Sequence, residues 1–178
     1  FAEWLERNVT THKQAGYAIV NVSLKPLDGV PGDITSDQMD AIARLAEKYS
    51  FSEIRATHRQ NLVLPDVAKR DLISVWQGLC DKNLATANLN RISDIICCPG
   101  MDYCSLATTR SIPLAQDISN RFANLKRQND IGKLSVNISG CINACGHHHV
   151  GDIGLLGVDR RGEEYYQVTL GGSAGENA

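Results

Sequence analysis

The sequence predicts an α+β chain in two parts, residues 1–85 and residues 86–178. Three observations carry that expectation. The first part alternates β-rich and helix-patterned segments in the order β-α-β-β-α. A small, polar stretch, Asn83-Leu-Ala-Thr-Ala-Asn-Leu-Asn90, then breaks the pattern. Beyond it, four of the six cysteines sit on short apolar or glycine-rich segments, as Cys98-Pro-Gly-Met-Asp-Tyr-Cys104 and Ser139-Gly-Cys141-Ile-Asn-Ala-Cys145-Gly146.

Each element of the first part has its own signal. Residues 1–16 are polar and mixed, with Trp4 and Leu5 the bulky apolar pair, and fit a linker or short helix. Tyr17 to Lys25 is β-rich and partly alternating, a strand by pattern. Pro26 to Asp33 holds two prolines and two glycines and reads as a loop. Thr35-Ser-Asp-Gln38 is a capping box that opens a helix to about Tyr49. Its expected buried stripe is Met39, Ile42, Ala43, Leu45, Ala46 and Tyr49. Two short strands follow, Glu53–Thr57 and Asn61–Leu64. Asp66 is placed to cap a second helix that buries Val67, Leu72, Val75, Trp76 and Leu79, with Cys80 on its apolar face. This order is most of a ferredoxin-like unit.

In the second part, Ile92–Ile96 is an apolar run leading into the cysteines. Cys104–Arg110 and Leu114–Leu125 have helical character, with Pro113 a kink or a first-turn residue. Leu134–Ile138 alternates, which predicts a strand delivering Ser139-Gly-Cys141. A helical turn over Cys141–Cys145 would put both thiols on one face, with Gly146 ending it. Ile153–Val158 and Tyr165–Leu170 predict a hairpin around Asp159-Arg-Arg-Gly162.

The cysteine spacing points to a metal centre. Cys98 and Cys104 have five residues between them, and Cys141 and Cys145 have three. Structural zinc usually takes two to four between paired ligands, so the first pair is too wide. Iron–sulfur clusters are held by cysteine thiolates over a larger volume. The surrounding glycines and Ala144 leave room for a bulky inorganic body near the backbone. Cys97 is adjacent to Cys98 and is expected to pack the other way.

Composition narrows the remaining classes. With 178 residues the chain can bury one full core or two small ones. A net charge of −2 and a pI near 6.2 give no basic footprint for nucleic acid. No apolar run approaches a membrane span, which needs about 20 residues. The N-terminus, Phe1-Ala-Glu-Trp-Leu-Glu, has no signal-peptide pattern, and the cysteines read as reduced thiols; the expected compartment is the cytoplasm. The missing initiator methionine suggests a piece of a longer protein.

The cysteine motif, continued by Gly146-x-x-His149, resembles the signature of sirohaem-containing sulfite and nitrite reductases. The likeness extends to Asp152-Ile-Gly-Leu-Leu-Gly157 and Thr169-Leu-Gly-Gly172. Upstream it includes Lys13-Gln-Ala-Gly-Tyr17 and Gln60-Asn-Leu-Val-Leu-Pro-Asp66. It implies a ferredoxin-like half-domain, the second of two pseudo-repeats, followed by an α/β iron–sulfur/sirohaem-binding module truncated at its C-terminus. Carried over by position, Cys98, Cys104, Cys141 and Cys145 would ligate a 4Fe–4S cluster, and Cys145 would bridge to the sirohaem iron. The implied reaction is reduction of sulfite to sulfide, with nitrite the alternative substrate of the same family. The implied electron donor is a flavoprotein subunit or a ferredoxin. Basic residues that bind the substrate would come from a missing N-terminal half, so no catalytic residue is expected here and the piece alone should be inactive.

Other readings stand beside this one. The four thiols suit a non-catalytic 4Fe–4S electron-transfer module, a zinc-stabilised domain, or free cysteines. His147-His148-His149 cannot all face one ion from regular structure and reads as polar packing, or as a proton supply. Arg55-Ala-Thr57-His-Arg59-Gln60 corresponds to a segment that grips sirohaem carboxylates in the first repeat. It equally fits an edge strand with solvated charges. Asp152 reads as a local hydrogen-bonding residue.

Overall fold

The computed structural model describes residues 1–27, 29–173 and 175. The chain forms two compact units, Phe1–Pro26 with Gly32–Leu89, and Leu27–Pro31 with Asn90–Ala178. Among the described residues no helix is long and apolar enough to cross a membrane.

The first unit runs α1 (Ala2–Asn8), β1 (Val9–Thr11), β2 (Tyr17–Val22), α2 (Ser36–Tyr49), β3 (Arg55–Ala56), β4 (Leu62–Ala68) and α3 (Leu72–Cys80). Its sheet has the order β1-β2-β4-β3 and is antiparallel throughout. The expected β-α-β-β-α order is present, and β1 occupies the outer place beside β2. Alternation works as expected in β2, where Ala18, Val20 and Val22 are buried and their neighbours are half-buried. They meet Trp4, Ile42, Leu64, Val67, Val75 and Leu79 in one core.

The capping box is complete, with the Gln38 N–H donating to Thr35 Oγ1 and the Thr35 N–H donating to Gln38 Oε1. The stripe it opens is rotated from the expected one. Ala41, Ile42 and Ala46 are buried, whereas Met39 is 52% exposed. Met39 stands about a quarter turn from the centre of that stripe. Cys80 is exposed for the same reason, lying beyond the Leu72–Val75–Leu79 face.

Asp66 does not cap a helix. It lies inside β4, which continues past Pro65 to Ala68. The register steps from Ala18↔Val67 to Val20↔Leu64, so Pro65 and Asp66 together face Ile19 in a bulge that accommodates the proline. The Asp66 carboxylate pairs with His12 Nε2 at 3.1 Å, and its N–H donates to Ser50 Oγ. Arg55 is exposed on β3, the edge strand, and pairs with Glu53.

The second unit runs β5 (Ile96–Cys97), α4 (Ser111–Arg121), α5 (Leu125–Ile131), β6 (Val136–Ser139), β7 (Ile153–Arg160) and β8 (Glu163–Leu170). Its sheet order is β5-β6-β7-β8, with the first three strands parallel and β8 antiparallel. The hairpin is longer than expected and turns on Arg161-Gly162, both at positive φ. Pro113 lies in the first turn of α4. The helical stretch splits at Asn124, whose side chain accepts from the Arg127 N–H and starts α5. All four β6 residues are buried, as befits an interior parallel strand. Val136 and Ile138 join Ile92, Ile95, Cys97, Ala115 and Leu155 in the core. Asn137 and Ser139 alternate with them on the other face.

Candidate metal centre

Two adjacent parallel strands bring the cysteine segments to one end of the sheet. Ile96 pairs with Asn137 and Cys97 with Ile138, so Cys98 and the Ser139-Gly140-Cys141 segment leave the carboxyl ends of β5 and β6 side by side. That edge of an open α/β sheet is where ligands ordinarily bind. Strand alternation then sorts the neighbouring thiols. Cys97 turns into the core, its Sγ donating to the Cys98 carbonyl, and burial pushes its thiol strongly upward. Cys98 turns the other way and its sulfur accepts the Gly140 N–H at 3.0 Å.

The first cysteine loop is a 3-10 turn, Gly100–Asp102, followed by irregular chain; the helix expected over Cys104–Arg110 does not form. Its backbone is committed elsewhere. The Thr108 and Thr109 N–H groups both donate to the Gly140 carbonyl, at 2.9 and 3.0 Å, and the Met101 N–H donates to the Thr109 carbonyl. Asp102 within the loop is held by Arg110 at 2.7 Å, whose own N–H donates to Glu164 of β8. Gly140 thus receives the first loop through its carbonyl and engages Cys98 through its N–H.

The second loop is not helical between Cys141 and Cys145. The Ala144 N–H donates to the Cys141 carbonyl, and Ala144 and His147 both adopt left-handed φ, +55° and +49°. Gly146 has a different role from the expected turn terminator. A Cβ there would lie 1.9 Å from the Ile138 carbonyl oxygen, so the loop crosses the β6 backbone at a distance only glycine allows. Its N–H donates to Ser139 Oγ at 3.1 Å. Asn137 Nδ2 donates to the Gly146 and His147 carbonyls at 3.0 and 3.1 Å. These two polar β6 side chains hold the loop, and the strand reading overlooked them. Their alternation with Val136 and Ile138 was the available signal.

The three histidines pack against one another, the His149 ring standing edge-on to those of His147 and His148 at 6.1 and 5.4 Å between centroids. His148 Nδ1 sits 3.1 Å from Ser139 Oγ, and burial, then the neighbouring His149, lowers its pKa. Asp152 accepts from the Ser135 N–H and hydroxyl, both at 2.7 Å, the local role expected of it. Among the described residues no three His, Cys, Asp or Glu side chains converge at the range of a single ion.

Burial grades across the four cysteines. Cys98 and Cys141 are 8% and 7% exposed, Cys104 is half-buried and Cys145 is exposed. Large apolar side chains on the same loops face outward, namely Met101, Tyr103, Leu106 and Ile142, the last 87% exposed. The donor chemistry fits a cluster. It offers soft sulfur ligands, a backbone N–H already aimed at one sulfur, and glycines that keep side chains clear of the loops.

Comparison with known proteins identifies the family of both units. Residues 12–82 match a family described as the nitrite/sulfite reductase ferredoxin-like half domain. Residues 89–178 match the nitrite and sulphite reductase 4Fe-4S domain. The sulfite reductase (ferredoxin) 2 of Mycolicibacterium paratuberculosis is 32% identical over 84% of this chain and 28% of its own length. The chloroplastic ferredoxin–nitrite reductase of Arabidopsis thaliana is 28% identical over 91% of this chain and 27% of its own. The solved structure of the Mycobacterium tuberculosis NirA protein superposes with a TM-score of 0.77 at 26% identity, covering 96% of this chain and 32% of that one. The chain therefore spans less than a third of the length of these relatives. The family works with a 4Fe–4S cluster and sirohaem, the cofactors implied by the cysteine motif. By both of its matched segments, this chain belongs to the nitrite and sulfite reductase family.

Proposed function

We propose that this chain is the cluster-holding part of a sulfite reductase that converts sulfite to sulfide. In this reading Cys98, Cys104, Cys141 and Cys145 would hold the 4Fe–4S cluster, and Cys145 would also link it to sirohaem. The observation that carries it is the Gly140 N–H on the Cys98 sulfur, which ties one cysteine loop to the other and presents a donor to a thiolate. The bound cofactors supply electron storage and the iron at which the substrate anion is reduced.

The chain's own contribution is placement. Cys98 and Cys141 are the buried end of the site and anchor it to the sheet. Cys145 is the exposed end, on the same loop as the outward-facing Ile142, where the ring face of a flat macrocycle could pack while its carboxylates stay in polar surroundings. Asn137 and Ser139 fix the backbone of Gly146 and His147 and the His148 ring, and so the approach to Cys145. The cations that bind the substrate anion are supplied outside this chain, which alone does not turn over. The electron donor is a ferredoxin, the donor named for the mycobacterial and plant relatives.

Nitrite is the second reading, favoured by the nitrite reductases among the relatives. The test compares sulfide formed from sulfite with ammonia formed from nitrite, using the full-length holoprotein that contains this chain and reduced ferredoxin. A higher kcat/KM for sulfite is expected, and a higher value for nitrite overturns the assignment.

A further inference from the structure

The chain around Cys104 is a closed loop, and an ion pair joins its two ends. Asp102 ends the 3-10 turn just before Cys104, and Arg110 immediately precedes α4. Arg110 donates from Nε at 3.0 Å and from Nη2 at 2.7 Å, both to Asp102 Oδ1. The backbone closes the same neck, with the Met101 N–H donating to the Thr109 carbonyl at 3.0 Å. Inside the loop the Cys104 N–H donates to the Gly100 carbonyl at 2.9 Å. Apolar packing does not hold the loop, because its large side chains, Tyr103 and Leu106, are 78% and 70% exposed.

The pair is tied to the sheet and open to solvent. Glu164 Oε2 accepts the Arg110 N–H at 2.7 Å, and β8 pairs with β7 from Glu163 to Leu170. Asp102 Oδ2 is buried and has no hydrogen-bond donor among the described residues. A carboxylate so placed is costly unless a cation holds its other oxygen. A cavity of about 320 Å³ opens beside the pair, lined by Asp102, Tyr103, Arg110, Ile112, Pro113 and Gln116. Dissolved ions can therefore reach and screen it.

We propose that Asp102 and Arg110 form an ionic clasp that holds Cys104 in place as a cluster ligand, with Glu164 anchoring the clasp to β8. The inference rests on the proposed ligand role of Cys104. Orienting a ligand from outside the coordination sphere governs how long the metal is retained. A partly exposed ion pair adds little to global stability, so the clasp acts on the loop and not on unfolding of the unit. Asp102 and Arg110 are positioning residues, working through the loop that carries the thiol.

The experiment follows loss of cluster absorbance in air at low and high salt, using the full-length holoprotein that contains this chain. Iron, acid-labile sulfide and the unfolding temperature are measured on each sample. At low salt Arg110→Gln should lose its cluster about tenfold faster than the parent, with its unfolding temperature unchanged. Salt at about 1 M shortens the screening length to about 3 Å, so it should speed loss in the parent and close that gap. A parental rate in Arg110→Gln at both salts would overturn the clasp and leave the cluster reading standing. An equal gap at both salts would place the effect in packing and overturn it too. A parent without iron and sulfide would overturn clasp and cluster reading together. If Arg110→Gln is isolated without a cluster, Asp102→Asn decides. Faster loss that salt no longer changes supports the clasp, and a parental rate removes it.

Discussion

The two units use their buried polar groups differently. In the first, buried asparagines serve the unit's own backbone. Asn8 donates to the Asn21 and Thr86 carbonyls, Asn61 accepts from Leu24, and Asn88 donates to the Lys25 carbonyl. In the second, Ser93 and Gln128 also pair within the unit, but a further set of buried polar side chains faces the cysteine loops. Asn137 and Ser139 hold the Gly146 and His147 backbone and the His148 ring, and Ser111 reaches the Cys98 sulfur. The first unit spends polarity on closing its own fold. The second places part of it against the cysteine loops.

That contrast can be broken by mutation, beginning with the largest effect. Gly146→Ala should cost more than about 4 kcal/mol, because its methyl would overlap the Ile138 carbonyl and neither backbone can yield. Thermal unfolding and iron content should both fall; a variant that keeps parental values would refute the close crossing. Leu64→Ala, in the core of the first unit, should lower stability by about 3 kcal/mol through loss of buried surface. Iron and sulfide per folded molecule should stay at the parental level. Their loss would show that the two units do not divide the work as described. Asn137→Ala strands two carbonyls and should cost about 2 kcal/mol. It should also speed cluster loss in air, whereas a slowed loss would contradict the loop-holding role.

Sequence patterns reached most of the fold. Alternation in β2, the Thr35–Gln38 box and the glycine-bearing hairpin turn act through neighbouring residues, so a local reading suffices. The expectations failed where a distant partner decides. Asp66 became strand rather than cap because β4 pairs with β2 as far as Ala68, with Pro65 and Asp66 forming the bulge opposite Ile19. The segment after Cys104 stayed irregular because its N–H groups are taken by Gly140, which is remote in sequence. Cys80 and Met39 missed the core by a fraction of a helical turn, an angle fixed by how each helix seats on the sheet. The opposite facing of Cys97 and Cys98 was legible, since adjacent residues on a strand must diverge. The support from Asn137 and Ser139 was not read, although their alternation with Val136 and Ile138 marks a strand with two buried faces of different character.

In the proposed assignment the second unit holds the cluster and the first does not. The direct test is iron, acid-labile sulfide and zinc content, with an anaerobic ultraviolet–visible spectrum, for parent, Cys98→Ser and Cys97→Ser holoprotein. The expected result is iron and sulfide with cluster absorbance and a sirohaem-type Soret band in the parent. Cys97→Ser should keep them and Cys98→Ser should lose them. Zinc without colour in the parent, or cluster loss in Cys97→Ser but not in Cys98→Ser, would contradict the assignment.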